Sequence, residues 1–337
     1  MTAAGQTSGI ALRISVTDRC PMRCIYCMPP EGVPLVGHDD VLRFEEMAAL
    51  VRAVRGRFGL AKVRLTGGEP LIRRGIVDLV ARLAAEGPAD LAMTTCGQRL
   101  ADLAPALRQA GLRRVNVSLD SLDPGTYRAL TRGGDLGEVL AGIGAARRAR
   151  LDPVKLNMVV LRGVNDGEVV RVARWGLERG CEVRFLEVMP IDVASARHGE
   201  WFVPSAEVRS RVAAALDLVP LPRRPGTSAR EYQARDAAGR AGPVGFISPC
   251  SDPFCGDCRR LRLTATGRLI GCLARTDGID VRPWLKQLAA GGSREAEVAI
   301  GAAIEQALGR KRRPDDEGAG RAGRPFVGQA CMARIGG

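Results

Sequence analysis

Short apolar runs rich in β-branched residues alternate along the chain with longer segments that are apolar at every third or fourth position. The short runs, which we predict as strands, are Leu12–Val16, Lys62–Leu65, Leu91–Thr94, Arg114–Leu119, Val154–Val160 and Glu182–Val188. The longer segments, which we predict as helices, include Phe44–Phe58, Ile76–Ala85, Leu136–Ala149 and Glu168–Arg179. Repeated strand–helix alternation predicts a parallel sheet whose crossover connections are right-handed.

Candidate active-site residues follow nearly every predicted strand, and active sites gather at the carboxyl ends of barrel strands. We therefore predict an α/β fold, a partial (βα)6 TIM-like barrel rather than a doubly wound sheet, over residues 1–220. After Pro220 the pattern changes to the loop-like LPRRPGTSAR, shorter strand-like pieces and a helix near Glu295–Leu308. Residues 221–337 are predicted to form a separate C-terminal extension.

The chain of 337 residues carries a net charge of +13, from 50 Lys and Arg against 37 Asp and Glu. Much of this excess is expected on the solvated surface, yet it favours a polyanionic partner. No run reaches the roughly 18 consecutive apolar residues of a membrane span, and the opening MTAAGQTSGI lacks the features of a secretory signal. We expect a cytoplasmic protein that does not bind a membrane.

Three cysteines in the spacing C-x3-C-x2-C follow the first predicted strand: Cys20, Cys24 and Cys27. Iron–sulfur clusters usually take four cysteines, so three would leave one iron open to a small molecule. The alternatives are a zinc site with a distant fourth ligand and cysteines without a shared role.

A second trio, Cys255, Cys258 and Cys272, lies near the other end of the chain. Cys250 could complete four thiolates, as in a closed tetrahedral zinc site. Spacing alone leaves zinc and an open-iron cluster as alternatives here.

The first trio, with Tyr26 before its last cysteine, and the later LTGGEP resemble signatures of the radical S-adenosylmethionine superfamily. Taken together, SVTDRCPMRCIYCMP, RLTGGEPL, VNVSLDSLDP, VKLNMVVLRGVND, VRFLEVMPI, GFISPCSDPFCGDCRRLRLTATGRLIGCL and the terminal IGG resemble GTP 3′,8-cyclases. The resemblance runs from about Leu12 to Gly337. It implies a radical enzyme that cyclises GTP to (8S)-3′,8-cyclo-7,8-dihydroguanosine 5′-triphosphate, the first step of molybdenum cofactor biosynthesis.

The resemblance also implies two 4Fe–4S clusters, one on each cysteine trio, and assigns further residues to the site. S-adenosylmethionine would contact Tyr26, Gly68, Ser118 and Met189. GTP would contact Arg13, Arg64, Thr94, Lys155, Arg260, Leu261 and Arg262. Arg260, Arg262 and the terminal Gly336 and Gly337 would also serve catalysis.

The resemblance further implies an electron donor such as flavodoxin or ferredoxin, a downstream cyclic pyranopterin monophosphate synthase and no nucleic-acid partner, and it leaves a homodimer open. The chain departs from the family at Cys96, where an asparagine is usual, and at Arg259 and Cys250. Two rival hypotheses remain: a two-cluster radical enzyme acting on a peptide or an RNA base, and a metal-binding module that docks nucleic acid through its arginines.

Overall fold

The computed structural model describes residues 9–224, 226–256, 258–273 and 277–311. Its strands are β1 (Ile10–Ser15), β2 (Leu60–Thr66), β3 (Leu91–Thr95), β4 (Arg114–Ser118), β5 (Lys155–Val160), β6 (Glu182–Glu187), β7 (Asp217–Pro220), β8 (Ala229–Arg235), β9 (Ala241–Ile247), β10 (Arg260–Leu263), β11 (Arg268–Ile270) and β12 (Ile279–Asp280). Its α-helices are α1 (Phe44–Phe58), α2 (Ile76–Ala85), α3 (Leu100–Gln109), α4 (Pro124–Thr131), α5 (Leu136–Arg148), α6 (Val169–Glu178), α7 (Val193–Trp201), α8 (Ser205–Ala213), α9 (Arg282–Ala289) and α10 (Arg294–Gly309).

The first six strands lie side by side in chain order and are all parallel. Parallel neighbours need a crossover connection, and helices supply it here. Aspartates cap two of these helices: Asp123 accepts from the backbone NH of Thr126, and Asp135 from that of Glu138. The predicted six-stranded βα core is confirmed.

The C-terminal segment extends both edges of this six-stranded core. Strand β10 pairs in parallel with β1, and β9 pairs in parallel with β6. The remaining short strands pair antiparallel outside these two, giving the order β12-β11-β10-β1-β2-β3-β4-β5-β6-β9-β8-β7. One sheet thus crosses residue 220, and the division into two domains there stays a prediction.

Apolar residues of the parallel strands and of the helices form one large core. Leu12, Val63, Met93, Val117 and Leu156 are all fully buried in it. Because side chains alternate across a strand, the residues between these positions face the other side of the sheet. In the described part of the chain, no helix has the length and apolarity needed to cross a membrane.

Candidate active site

A cavity of about 2120 Å³ opens among the parallel strands and is lined by both cysteine trios. The sequence-predicted residues that also line it are Arg13, Tyr26, Arg64, Gly68, Thr94, Ser118, Lys155, Met189, Arg260 and Arg262. Residues more than 200 positions apart in the sequence therefore share one chamber. Leu261 is fully buried in the core, so its side chain does not reach the cavity. Gly336 and Gly337 lie outside the described residues.

The first trio lies at the carboxyl end of β1, beside the glycine pair that follows β2. The backbone NH of Gly68 donates to the carbonyl of Thr17 at 2.8 Å, and the NH of Glu69 donates to that of Arg19 at 2.8 Å. A Cβ on Gly68 would lie 2.1 Å from the carbonyl oxygen of Arg19. Glycine is therefore required here for two segments of main chain to touch, and this contact fixes the chain that leads into Cys20.

Gly68→Ala is expected to destabilise the loop before Cys20, because backbone atoms cannot move aside as a flexible side chain can. We expect a loss of about 2 kcal/mol in the free energy of unfolding and weaker binding of S-adenosylmethionine. Chemical denaturation and equilibrium binding measure the two effects. Gly167→Ala is the matched control, since a Cβ there meets nothing within 4 Å and the residue lies outside the α-helices. Wild-type stability in Gly68→Ala would contradict the packing described here.

Glu69 ties the glycine loop to the end of β3. Its buried carboxylate accepts hydrogen bonds from the Thr95 hydroxyl and the Cys96 backbone NH, both at 2.6 Å, and from the Leu71 NH at 3.0 Å. Burial raises the pKa of Glu69, and these hydrogen bonds oppose the rise. Because position 96 donates through its main chain, the cysteine found there preserves this bond.

Tyr26 is anchored within the loop of the first trio. Its hydroxyl donates to the buried carboxylate of Asp120 at 2.6 Å, and the backbone NH of Val159 donates to the same carboxylate at 2.8 Å. Burial raises the pKa of Asp120 to about 6. The ring of Tyr26 packs against a small apolar cluster that includes Leu130 and Trp201. Asp120 therefore fixes the tyrosine between two cysteines of the trio.

The second trio lies at the opposite end of the barrel. Cys255 and Cys258 precede β10, which runs parallel to β1, so they lie at the amino ends of the strands. Cys272 follows β11, which is antiparallel to β10 and returns to the same end. The two trios therefore face the cavity from its two ends.

Lys311, at the end of the described chain, contacts the second trio. Its Nζ lies 3.6 Å from the Sγ of Cys258 and donates to the carbonyls of Arg260 and of Gly271, the latter at 2.8 Å. Burial alone would raise the pKa of the Cys258 thiol, but the positive charges of Lys311 and Arg260 outweigh it and lower that pKa. The site therefore favours a thiolate at Cys258.

The donor geometry bears on which metal group each trio fits. Among the residues that the structure describes, no three His, Cys, Asp or Glu side chains are arranged to hold a single metal ion. The thiolates of a 4Fe–4S cluster bind separate irons, so they stand farther apart than the ligands of one ion. Cys250 lies against the carbonyl of Val188 at 3.7 Å and the His198 ring at 4.0 Å. The described contacts of the Cys250 thiol are thus with Val188 and His198 and not with the second trio.

Three arginines form a row across neighbouring strands inside the cavity. Arg13 on β1 pairs in register with Arg64 on β2 and with Arg262 on β10. Burial, followed by repulsion from neighbouring arginines, lowers the pKa of Arg64 to about 9 and that of Arg262 to about 10. The Nε of Arg64 is buried without a hydrogen-bond partner among the described residues. Adjacent buried guanidinium groups repel one another, so the row fits a ligand with several negative charges.

Further cations lie toward the amino ends of the strands, where active sites of barrels are not expected. Functional residues are expected to follow the strands of a barrel, but Lys155 is the first residue of β5 and lies at its amino end. Burial lowers the pKa of Lys155 to about 8, and the charge of Arg184 adds to the effect. Lys155 contacts Glu182, and Arg184 pairs with Glu231 at 2.8 Å. These acids hold the cations in place within the protein.

Sequence reasoning missed several cavity residues, Lys62, Arg114, Arg184, Glu69 and Asp120. It also missed Lys311, which contacts the second trio at Cys258. A signal was available for Lys62, because it stands two residues before Arg64 on the same strand and therefore on the same face. Burial lowers the pKa of Lys62 to about 8, and repulsion from Arg114 contributes. Together with the arginine row, these cations make the interior of the barrel strongly basic.

Comparison with known proteins places this geometry in a family. The radical SAM superfamily model matches residues 14–176, and the molybdenum cofactor synthesis C model matches residues 181–316. A GTP 3′,8-cyclase of Geobacter sulfurreducens is 47% identical over 82% of this chain and 83% of its own length. The chain belongs to the GTP 3′,8-cyclase family. A second cyclase, from Moorella thermoacetica, is 47% identical over 86% of this chain and 87% of its own length.

Solved structures support the fold independently. Streptococcus suis SuiB, in a crystal structure with its precursor peptide SuiA, aligns with a TM-score of 0.58 at 12% identity. The alignment covers 92% of this chain and 68% of SuiB. The structure of SuiB bound to S-adenosylmethionine aligns with a TM-score of 0.56 at 13% identity, over 87% of this chain and 67% of that one. At this identity the likeness shows a shared fold, and the predicted partial barrel is confirmed.

Proposed function

We propose that this chain catalyses the radical cyclisation of GTP to (8S)-3′,8-cyclo-7,8-dihydroguanosine 5′-triphosphate, which begins molybdenum cofactor biosynthesis. The observation that carries the proposal is one cavity with a cysteine trio at each end and a basic row between them. The cyclase relatives at 47% identity supply the reaction. The rival assignments, to a peptide or RNA substrate or to a docking module, have no comparable support from relatives.

Cys20, Cys24 and Cys27 would hold one 4Fe–4S cluster, and Cys255, Cys258 and Cys272 would hold a second. When bound, the first cluster and S-adenosylmethionine supply the one-electron chemistry that removes hydrogen from the ribose 3′ carbon. Tyr26, Gly68, Ser118 and Met189 border the chamber beside the first trio and would orient S-adenosylmethionine there. This chemistry requires reduced thiols, which the cytoplasm maintains.

The chain's own residues hold the nucleotide. The arginine row of Arg13, Arg64 and Arg262 would bind phosphate oxygens through bidentate guanidinium contacts. Lys155 would add a point charge, and Thr94 a hydroxyl donor. Leu261 would contribute only main-chain atoms, because its side chain is buried in the core. The resemblance to the family assigns Gly336 and Gly337 to the same chamber.

Positioning is the main task of this cavity. A carbon radical reacts with the nearest available hydrogen, so the 3′ carbon must lie close to the adenosyl carbon. Cations on strand interiors are held more rigidly than cations on loops. Phosphate groups fixed by the barrel wall would therefore set the position of the ribose. An electron donor such as flavodoxin or ferredoxin and a downstream pyranopterin-forming enzyme would complete the sequence.

The direct test is incubation of the anaerobically reconstituted protein with S-adenosylmethionine, GTP and a strong reductant. We expect 5′-deoxyadenosine and the cyclised nucleotide, separated by liquid chromatography and identified by mass. ATP in place of GTP serves as the control and should give no cyclised nucleotide. Deoxyadenosine without a nucleotide product would refute the substrate assignment and leave the radical step standing.

Lys311→Met is expected to lower the reduction potential of the second cluster. Hydrogen bonds to sulfur and nearby positive charge both favour the reduced, more negative cluster. We expect a decrease of roughly 60 mV or more, a tenfold change in a one-electron equilibrium. Redox titration followed by electron paramagnetic resonance measures it.

Arg310→Met is the control for this titration. Arg310 lies next to Lys311 but pairs with Asp277 at 3.7 Å on the surface. Its replacement should leave the potential of the second cluster unchanged. An unchanged potential in Lys311→Met with a full iron content would contradict the role given to the lysine.

A further inference from the structure

Asn116 carries a buried acceptor inside the cavity that no described residue satisfies. The residue is only 1% exposed, and its Oδ1 has no hydrogen-bond partner among the described residues. A buried acceptor left without a donor is costly. Asn116 also lines the cavity wall, so its oxygen is available to a donor on a ligand held there.

The register of the sheet shows where Asn116 lies along the strands, and residues paired across neighbouring strands share one level of the chamber. Asn116 pairs with Thr94 on β3 and with Lys155 on β5. Those two residues are the ones assigned to GTP on these strands. Ser118, assigned to S-adenosylmethionine, lies two residues farther along β4 on the same face and pairs with Asn157. Asn116 therefore lies at the level of the nucleotide rather than at the level of S-adenosylmethionine.

The chemistry of the neighbours indicates which part of the nucleotide meets Asn116. The cations around it suit phosphate oxygens, which only accept hydrogen bonds, and an amide oxygen would repel them. The ribose joins the phosphates to the base, and its hydroxyls are donors. An uncharged acceptor between the cation Lys155 and the hydroxyl of Thr94 suits a hydroxyl donor.

We propose that Oδ1 of Asn116 accepts a hydrogen bond from a ribose hydroxyl of the nucleoside triphosphate and so selects ribonucleotides over deoxynucleotides. This inference rests on the proposed function and adds a residue that sets specificity. A site built to bind a hydroxyl rejects an analogue that lacks it, because its buried polar group then loses its partner.

The test measures equilibrium binding of GTP, 2′-deoxyGTP and 3′-deoxyGTP to the reconstituted protein, without turnover. Wild type is expected to bind at least one deoxy analogue about tenfold more weakly than GTP. Asn116→Leu removes the acceptor at similar volume. The dissociation constants of GTP and of that analogue should then become about equal.

Asn116→Asp keeps both shape and acceptor. All three nucleotides should then bind more weakly through charge repulsion, while the ratio between them remains. Asn157→Leu, at the next level of the barrel, should also keep the ratio. Thermal unfolding and iron content show whether each variant is folded and loaded. If Asn116→Leu does not fold, Asn116→Ala, which also lacks the acceptor, carries the test and should show the same loss of discrimination.

Two outcomes separate the inference from the function beneath it. A wild type that binds no GTP would overturn the proposed function. Two results would overturn only the role of Asn116. In the first, wild type binds GTP and both deoxy analogues with equal affinity; in the second, the preference for GTP over the deoxy analogue persists in Asn116→Leu. Loss of the ratio in Asn116→Asp as well as in Asn116→Leu would also overturn it, since the acceptor is still present.

Discussion

Cys255→Ala is expected to separate the two halves of the reaction. The variant should lose the second cluster, so its iron content should fall from about eight to about four per chain. Reduction should still convert S-adenosylmethionine to 5′-deoxyadenosine, because the first trio lies at the other end of the cavity. The cyclised nucleotide should fall by about 100-fold or more, since the purine loses its anchor and the ribose its position.

Two variants complete this experiment. Cys24→Ala should abolish both products, because it removes a ligand of the radical-generating cluster. Cys250→Ala tests the ligand set itself: its thiol lies against Val188 and His198, and we expect full iron and both products. Loss of about four irons in Cys250→Ala, or loss of deoxyadenosine in Cys255→Ala, would contradict the assignment of ligands.

Lys155→Gln and Glu182→Gln are expected to change GTP affinity in opposite directions. Removing the lysine deletes a charge-assisted contact to phosphate in a buried site, which should weaken GTP binding by about 10- to 100-fold. Glu182 contacts Lys155 and lies 3.6 Å from Arg184. Its neutralisation leaves those cations free for phosphate and should strengthen binding several-fold. Calorimetric titration at two salt concentrations measures both effects.

Guanosine provides the comparison ligand for this pair of variants, since it lacks the phosphates. Its binding should change little in either variant, whereas GTP binding should change in both. Arg147→Gln, which breaks an exposed pair with Asp152, is the surface control and should have no effect. An equal loss for GTP and guanosine in Lys155→Gln would place the lysine away from the triphosphate.

The local pattern of apolar residues was sufficient to predict the helices and strands of the core. The helices Phe44–Phe58 and Ile76–Ala85 have the predicted bounds, and the six core strands differ from prediction by two residues or fewer at each end. The pairing of β10 with β1 could not be predicted in this way, because it joins segments about 250 residues apart. Apolar periodicity reports which face a residue occupies and not which distant strand lies beside it.

The candidate site shows the same division. Both cysteine trios and the arginine of β2 were identified from motifs, but Lys62, two residues before that arginine, was not. Strand alternation alone would have placed both on one face. Lys311 had no sequence signal, since its contact with Cys258 depends on where α10 ends relative to β10. Asn116 could not be identified from the sequence either. Its side-chain oxygen is recognised as lacking a partner only when the neighbouring residues in the structure are known.

The central claim is that two open-iron clusters face one cavity with the nucleotide between them. Anomalous diffraction from anaerobic crystals grown with GTP, measured at the iron and zinc absorption edges, tests it most directly. The account predicts two iron peaks and no zinc peak, one beside Cys20, Cys24 and Cys27 and the other beside Cys255, Cys258 and Cys272, with the nucleotide between them. A zinc peak at the second trio, a single iron site, or nucleotide density outside the shared cavity would contradict it.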